Sequence, residues 1–451
     1  MQMVRRLQLV FLFLGDIAAL YASLLITLAL RYGGNFLNGG TSGNFWPFTV
    51  VFVLWILIFY IAGLYDTRRL RNDIDFLKTL ALCLVVNALI AILFFYFIPA
   101  FGIAPKTNLF ILFVVFTVIE VLWRRAFNRI TRGGEAPNRV VLVGDGETAE
   151  DIVRVIEENP QLGYAIAERI PEKSAAGDPR SVRSAVVGSR ANIVVVPRHL
   201  KREGKLLLVL YELFGSGVLV MDLAAFYERV LQKVPLDDLE ETWFLENIEG
   251  AGRYYDSLKR AGELVFALVV GIVLLPVEIV IGILVKLTSR GPVFIRQKRT
   301  GKNGAEFTLF KFRSMVALAP DGQAETNGAQ WSSGAGDKRI TPFGKFIRVS
   351  HLDELPQLWN VVRDDISFVG PRPERPEFVT KLKEQVPYYE IRLLIKPGVS
   401  GWAQINHPAD RDLEDVRQKL QYDIYYLKNR SFVLDVAIVL KTLKSFFVNP
   451  E

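Results

Sequence analysis

Apolar positions crowd the front of the chain into four stretches, roughly residues 7–30, 46–65, 77–98 and 109–123. The first three approach the ~20 residues that a membrane-spanning helix needs, and the fourth is shorter. No cleavage pattern follows the first stretch, so it reads as a retained span. From Arg139 the pattern changes to short apolar runs alternating with amphipathic ones. RVVLVGDGETAEDIVRVIEEN (139–159) predicts a buried strand, a glycine turn and a helix, and YAIAERI (164–170), NIVVV (192–196) and GVLVMD (217–222) predict further strands. That alternation predicts a small parallel sheet of Rossmann type. A fifth long apolar run, residues 260–290, is divided near its middle by Pro276, with Glu278 just after it. Beyond it the chain turns polar and Arg-rich, and a Tyr-, Phe- and Lys-rich amphipathic pattern over 417–447 could rest on a membrane surface.

Charges at the flanks set direction. Arg5 and Arg6 precede the first stretch, Arg68, Arg69, Arg71 and Lys78 sit around the second loop, and Arg124, Arg125, Arg129 and Arg132 follow the fourth stretch, whereas the other two loops offer Arg31 and Lys106. The N-terminus and everything after the fourth helix are therefore expected on the cytoplasmic side. Lys259 and Arg260 before the fifth run, and Lys286 and Arg290 after it, mark both of its ends as cytoplasmic. The expectation is a broken helix that enters one leaflet, turns near Pro276 and returns, with a kinked fifth span as the alternative. The hydrophobic share of 51% in 451 residues agrees with a membrane component, and the net charge of +7 suits anionic partners. Cys83 is the single cysteine, which excludes a disulfide framework and a cysteine-based metal site. Within the spans, Asp16 and Asn87 read as interhelical hydrogen-bond formers or as lipid or substrate contacts. Gly144, Gly146 and Ala149 fit G-x-G-x-x-A, which leaves open a bound nucleotide or a sheet that uses glycine for its turn and serves as spacer or dimer surface.

The chemistry-bearing residues follow the fifth run. GPVFIRQKRTGKNGAEFTLFKFRSM (291–315) predicts two strands around an Asn-Gly turn. Basic residues in 296–302 suit lipid phosphate, while Lys311 and Arg313, two apart on a strand, share a face and suit a diphosphate. HLDELPQLWN (351–360) sets Asp353 beside Glu354; helix capping, with Asp353 at the N-cap and Pro356 in the first turn, accounts for the pair by itself. In SFVGPRPERPEF (367–378) three prolines stiffen a loop around Arg372 and Arg375, a form suited to bidentate phosphate contact. Trp402 in KPGVSGWAQI (396–405) reads either as a platform for a base or sugar or as a packed core residue.

In this order, these stretches together with YDIYYLKNRSFVLD (422–435) resemble the bacterial sugar transferase family, the monotopic polyprenyl-phosphate hexose-1-phosphate transferases, over about residues 253–451. The four spans and Rossmann-like segment resemble the large subgroup that initiates exopolysaccharide, capsule or O-antigen synthesis. One departure is Leu275, where some members carry a small polar residue before the helix-breaking proline. The resemblance implies Asp353 as the nucleophile and Glu354 as a magnesium-holding residue. The expected substrate-binding set is Lys311, Arg313, Arg348, Arg372, Arg375 and Gln404. Opposed anions would need such help, since a carboxylate attacking a diphosphate is repelled unless cations cancel the charge. The expected organisation is four transmembrane helices in 1–130, a Rossmann-like α/β domain in 131–250, and a transferase domain in 251–451 with a re-entrant helix over 257–288. Expected partners are a UDP-sugar, polyprenyl phosphate, membrane lipids and a second copy of the chain, without nucleic acid, at the cytoplasmic face of a bacterial inner membrane. Two rival classes remain at this stage: a non-catalytic scaffold of polysaccharide assembly, and a membrane nucleotide-sugar dehydratase, for which Tyr255 and Lys259 have the Tyr-x-x-x-Lys spacing but lack the preceding glycine run.

Overall fold

A computed structural model of the chain describes residues 2–33, 42–65, 74–97, 106–132, 138–202, 204–239, 241–248, 253–316, 339–407 and 412–448. Arg68, Arg69 and Arg71, used above to orient the chain, lie outside these residues. Contacts divide the chain into two compact units, Met1–Val143 with Val153–Val194 and Lys205–Val220, and Gly144–Ile152 with Val195–Gly204 and Met221–Glu451.

The first unit begins with four helices, α1 (Gln2–Tyr32), α2 (Ser42–Ile61), α3 (Ile74–Phe97) and α4 (Lys106–Arg132). Leu20, Leu24, Phe52, Trp55, Phe59 and Phe116 are among the side chains of their shared core. By length and composition Leu9–Arg31 of α1 and Thr79–Tyr96 of α3 are apolar enough to cross a membrane, and the apolar run of α2, Trp46–Ile61, is shorter. Inside this bundle Asp16 of α1 accepts hydrogen bonds from the Tyr65 hydroxyl (2.6 Å) and the Trp123 indole (2.9 Å), and it pairs with Arg124. Arg124 also donates to Glu120 (2.8 Å) and to the Leu64 carbonyl (2.7 Å). Arg124 is thus not the flanking charge expected from the sequence. Helix α4 runs two turns past Trp123, and a buried guanidinium is tolerable there because two carboxylates and a carbonyl surround it. Asp16 makes the interhelical bonds expected of it. Asn87 does not: it is buried with neither amide atom paired among the described residues.

The α/β region runs β1 (Asn138–Val143), α5 (Glu147–Glu158), β2 (Tyr164–Ile170), α6 (Glu172–Gly177), α7 (Pro179–Ser189), β3 (Ile193–Val196), α8 (Gly204–Gly215) and β4 (Leu219–Asp222). Its sheet has the order β2-β1-β3-β4, with β1 and β2 parallel. Continuous burial of Val140–Val143 and Ile193–Val196 explains why these strands read as unbroken apolar runs rather than alternating ones. Gly144 follows β1 at φ 146°, a conformation that side chains rarely adopt. The first turn of α5 carries Glu147 and Glu150, a disposition that opposes an anion at that helix end.

Helices α9 (Leu223–Leu231) and α10 (Glu241–Asn247) belong to the second unit, where Trp243 and Phe244 join a core with Leu382, Tyr389, Leu420 and Ile424. Next come α11 (Arg253–Thr288) and the antiparallel hairpin of β5 (Phe294–Thr300) and β6 (Glu306–Phe312). The expected Asn-Gly turn closes this hairpin, with Asn303 at φ 55° and Gly304 at φ 80°. Then follow α12 (Pro342–Val349), α13 (Gln357–Val362), β7 (Ser367–Val369), α14 (Pro376–Gln385), β8 (Gly398–Ser400), α15 (Trp402–Asn406), α16 (Leu413–Asn429) and α17 (Phe432–Val448).

The expected break in α11 is absent as a break in helical structure, since all 36 residues are helical with Pro276 inside. A proline removes one backbone hydrogen bond and crowds the preceding turn, which bends a helix more readily than it ends one. Both ends of α11 are held by the same unit. Lys259 donates to the Val369 carbonyl (3.0 Å) and to Tyr426 (2.9 Å), and Arg260 to the Val361 carbonyl (2.6 Å). At the other end Arg313 donates to the Ser289 and Arg290 carbonyls (both 2.8 Å). Buried positions stop at Ala267 and resume at Ile281, and between them Ile272, Val273, Val277 and Ile279 are exposed.

Candidate active site

Asp353 and Glu354 lie in a short 3-10 turn, Leu352–Glu354, between α12 and α13. His351 enters this turn at φ 53°, and the residue before α13 is Pro356, so neither acid caps a helix as the sequence suggested. The turn instead directs the two carboxylates into a basic surround. Lys311, at the end of β6, donates to Glu354 Oε1 at 2.6 Å, and Arg372 reaches the same oxygen at 3.4 Å. Burial opposes the Glu354 charge, but Lys311 and then Arg372 override it and hold the carboxyl well below the usual range. Asp353 is 8% exposed and responds in the opposite sense. Burial pushes its pKa up, against the pull of Lys311 and Arg348 and with the help of the neighbouring Glu354 charge.

The Arg372 loop is fixed from several sides. Arg392 donates to the Arg372 carbonyl (3.0 Å), Arg299 to the Pro373 carbonyl (3.2 Å), and the Thr300 amide to the Glu374 carbonyl (2.9 Å). Lys419 pairs with the Glu374 carboxylate (2.9 Å), whose pKa is held down to about 2: burial works against the charge, but Lys419, Arg392 and Arg299 prevail. Arg392 in turn pairs with Asp423 of α16 at 2.9 Å. Strands β7 and β8 bring the Pro-Arg-Pro loop against the loop after Lys396, and a side chain at Gly370, Gly398 or Gly401 would strike backbone of the facing segment. Glycine at these three positions is what lets the two loops touch.

The family model described as Bacterial sugar transferase matches residues 254–449, so it takes in every residue of this cluster. A UDP-N-acetylgalactosamine-undecaprenyl-phosphate N-acetylgalactosaminephosphotransferase of Aeromonas hydrophila is 41% identical over 48% of this chain, and the chain spans about half (50%) of that protein's length. A UDP-glucose:undecaprenyl-phosphate glucose-1-phosphate transferase of Xanthomonas campestris pv. campestris is 30% identical over 72% of the chain and 69% of its own length. One of the same description from Escherichia coli (strain K12) is 28% identical over 91% of the chain and 90% of its own. The chain belongs to the bacterial sugar transferase family.

Within this sugar transferase the structure gathers Asp353, Glu354, Lys311 and Arg372, and Arg348 of α12 adds its charge to the field at Asp353. Arg375 stands at the start of α14 and lies close enough to Arg299 to affect its charge. Two expected substrate-binding residues are placed elsewhere. Strand β6 ends at Phe312, so the two-residue alternation does not carry through to Arg313, which is buried and donates to the Ser289 and Arg290 carbonyls just past the end of α11 and to the Val285 carbonyl (3.3 Å) in its last turn. Gln404 of α15 donates to the Val399 carbonyl of the preceding strand β8 (3.2 Å). Trp402 is packed rather than displayed, and its indole donates to the Gln232 carbonyl (2.9 Å). Sequence reasoning missed Arg392, Glu374, Lys419 and Asp423. A signal was present for the last two: Lys419 and Asp423, four apart, occupy the same buried stripe of α16 as Val416, Leu420 and Leu427.

Among the described residues no group of three or more metal-ligating side chains occurs. Magnesium needs less than that, because it is commonly held by one or two carboxylates together with substrate phosphates. Both cations on Glu354 contact Oε1, which leaves Oε2 outside those contacts, so the donor set fits a metal that arrives with a diphosphate.

Proposed function

We propose that this sugar transferase moves a sugar 1-phosphate from a UDP-sugar to polyprenyl phosphate and releases UMP. The observation that carries the reading is Asp353, a buried carboxylate beside Lys311, Glu354 and Arg348, in a chain whose named relatives act on UDP-sugars and undecaprenyl phosphate. Lys311, Arg372 and Arg348 receive the diphosphate, and the rigid Pro-Arg-Pro loop limits the freedom that Arg372 loses on binding. An Asp353 oxygen attacks the sugar-linked phosphorus, the bond from that phosphorus to the UMP oxygen breaks, and UMP departs with the electron pair. Polyprenyl phosphate then attacks the same phosphorus, and the bond to Asp353 breaks to restore the carboxylate. Magnesium held by Glu354 and the bound diphosphate would neutralise charge on the departing UMP.

The same proposal makes α11 a re-entrant anchor. It is supported by the ends of α11, which are held by one unit, by the exposed apolar middle, and by Pro276, where the bend would lie. The four N-terminal helices are read as spans, and the catalytic unit as lying at the cytoplasmic face of a bacterial inner membrane. Such an arrangement sets Asp353 at the depth where a lipid-linked phosphate is found.

The test is mass spectrometry of the protein incubated with each of a panel of UDP-sugars and no acceptor. A phosphosugar adduct on Asp353 is expected for the true donor. Asp353→Asn should carry no adduct and should release UMP at less than about a thousandth of the normal rate. Normal turnover by that variant would remove Asp353 as nucleophile.

A further inference from the structure

A cavity of about 110 Å³ lies beside the first turns of α11 and shares none of its lining with the Asp353, Glu354, Lys311 and Arg372 cluster. Lys302 of the hairpin turn, Lys396, Arg430 at the end of α16, and Lys259 and Arg260 of α11 all contribute to its wall. Most of these cations have acid partners. Lys259 pairs with Asp435 (2.9 Å), Arg430 with Asp256 (3.3 Å), and Arg260 and Lys396 share Asp364 (2.7 and 2.5 Å). Glu263, the remaining acid of the wall, accepts from the Ser367 hydroxyl and the Phe368 amide. Lys302 has no acid partner among the described residues, so five cations meet four carboxylates. The Nε of Arg430 is also buried without a hydrogen-bond partner, a state that costs free energy unless a ligand relieves it.

Depth points to the same kind of ligand. Val265 and Phe266 are exposed apolar residues of α11, and Lys259 and Arg260 precede them by between one and two turns, or about 8–10 Å. If α11 enters the bilayer as proposed above, the cavity sits among headgroups. We propose that it binds a phosphate ester carrying one negative charge, the phosphodiester of an anionic glycerophospholipid in the membrane. A phosphodiester matches the single surplus positive charge and offers the acceptor oxygens that Arg430 and Lys302 lack.

The experiment compares the full chain in nanodiscs of phosphatidylcholine alone, of phosphatidylcholine with phosphatidylglycerol, and of phosphatidylcholine with inorganic phosphate in the buffer. Native mass spectrometry counts retained lipid, and thermal unfolding reports stabilisation. Wild type should retain one phosphatidylglycerol and be stabilised by it, and Lys302→Gln with Arg430→Gln should lose retention by about tenfold or more. Lys302→Gln alone, at an exposed turn, serves if the double variant does not fold, and should show a partial loss. Stabilisation by inorganic phosphate without phosphatidylglycerol retention would assign the site to free phosphate and overturn the lipid. Unchanged retention and stability in the variants would overturn the proposal altogether. UMP release and the sidedness of α11, measured on the same preparations, report separately on the transferase reading.

Discussion

Burial keeps the Asp353 carboxyl above its ordinary range while its neighbour, contacted by Lys311 and Arg372, is kept below. In the proposed reaction Asp353 must be ionised to attack, so activity should fall as pH drops through the Asp353 pKa, and that limb should lie above the ordinary aspartate value of about 3.9. Arg348 favours the ionised form, so Arg348→Gln should move the limb further towards neutral pH. A pH profile of kcat/KM for wild type and variant checks this, and an unmoved limb would remove Arg348 from the field at Asp353. The stability sign is the reverse of the usual carboxylate case, because a raised folded pKa means that ionised Asp353 weakens the fold as pH rises past it. At this scale the acids, Lys311 and Arg372 were legible from residue type and order. Arg313 was not, because its role follows from where β6 stops, which no two-residue spacing encodes. Trp402 had two readings of equal local merit, and only the position of the distant Gln232 carbonyl decides between them.

Helix α11 shows how much of an element the chain can announce. Its extent, its charged ends and Pro276 were all legible, whereas the survival of helical structure through the proline depends on geometry that charge and hydropathy do not carry. The proposed re-entry has a direct check. Ser257→Cys and Ser289→Cys, each in a Cys83→Ser background, should resist a membrane-impermeant thiol reagent in intact cells and react after lysis. Labelling of the Ser289→Cys protein from outside would make α11 a span and leave Asp353 on the wrong side of the membrane for a UDP-sugar. Pro276→Ala should straighten the helix, and a straight stretch of about 54 Å exceeds the ~30 Å hydrocarbon core, so part of the population should then label. The strands of the α/β sheet were legible to within two residues at their starts, and in β1 and β3 the continuous buried run of valine, leucine and isoleucine is what leaves the mark.

Over the whole molecule, the catalytic unit begins before the family match does. Trp243 is buried at the edge of Phe244, with Lys428 over its ring at 4.8 Å, eleven residues ahead of the first matched position. Trp243→Ala should therefore destabilise the catalytic unit by about 3–5 kcal/mol, as truncation of a core aromatic commonly does. Thermal unfolding followed by UMP release after heating checks it, and an unchanged midpoint would detach this segment from the catalytic unit. The pairing of Asp16 with Arg124 bears on how the chain is made. These residues are 108 positions apart, so during synthesis α1 is complete long before its counter-charge exists. A lone aspartate at the centre of a spanning helix raises the cost of insertion by about 2.5–3.5 kcal/mol, and Asp16, a third of the way along the apolar run Leu9–Arg31, carries at most that cost. Helix α1 should therefore linger beside the insertion machinery until α4 emerges, which makes assembly of this bundle a matter of timing as well as packing.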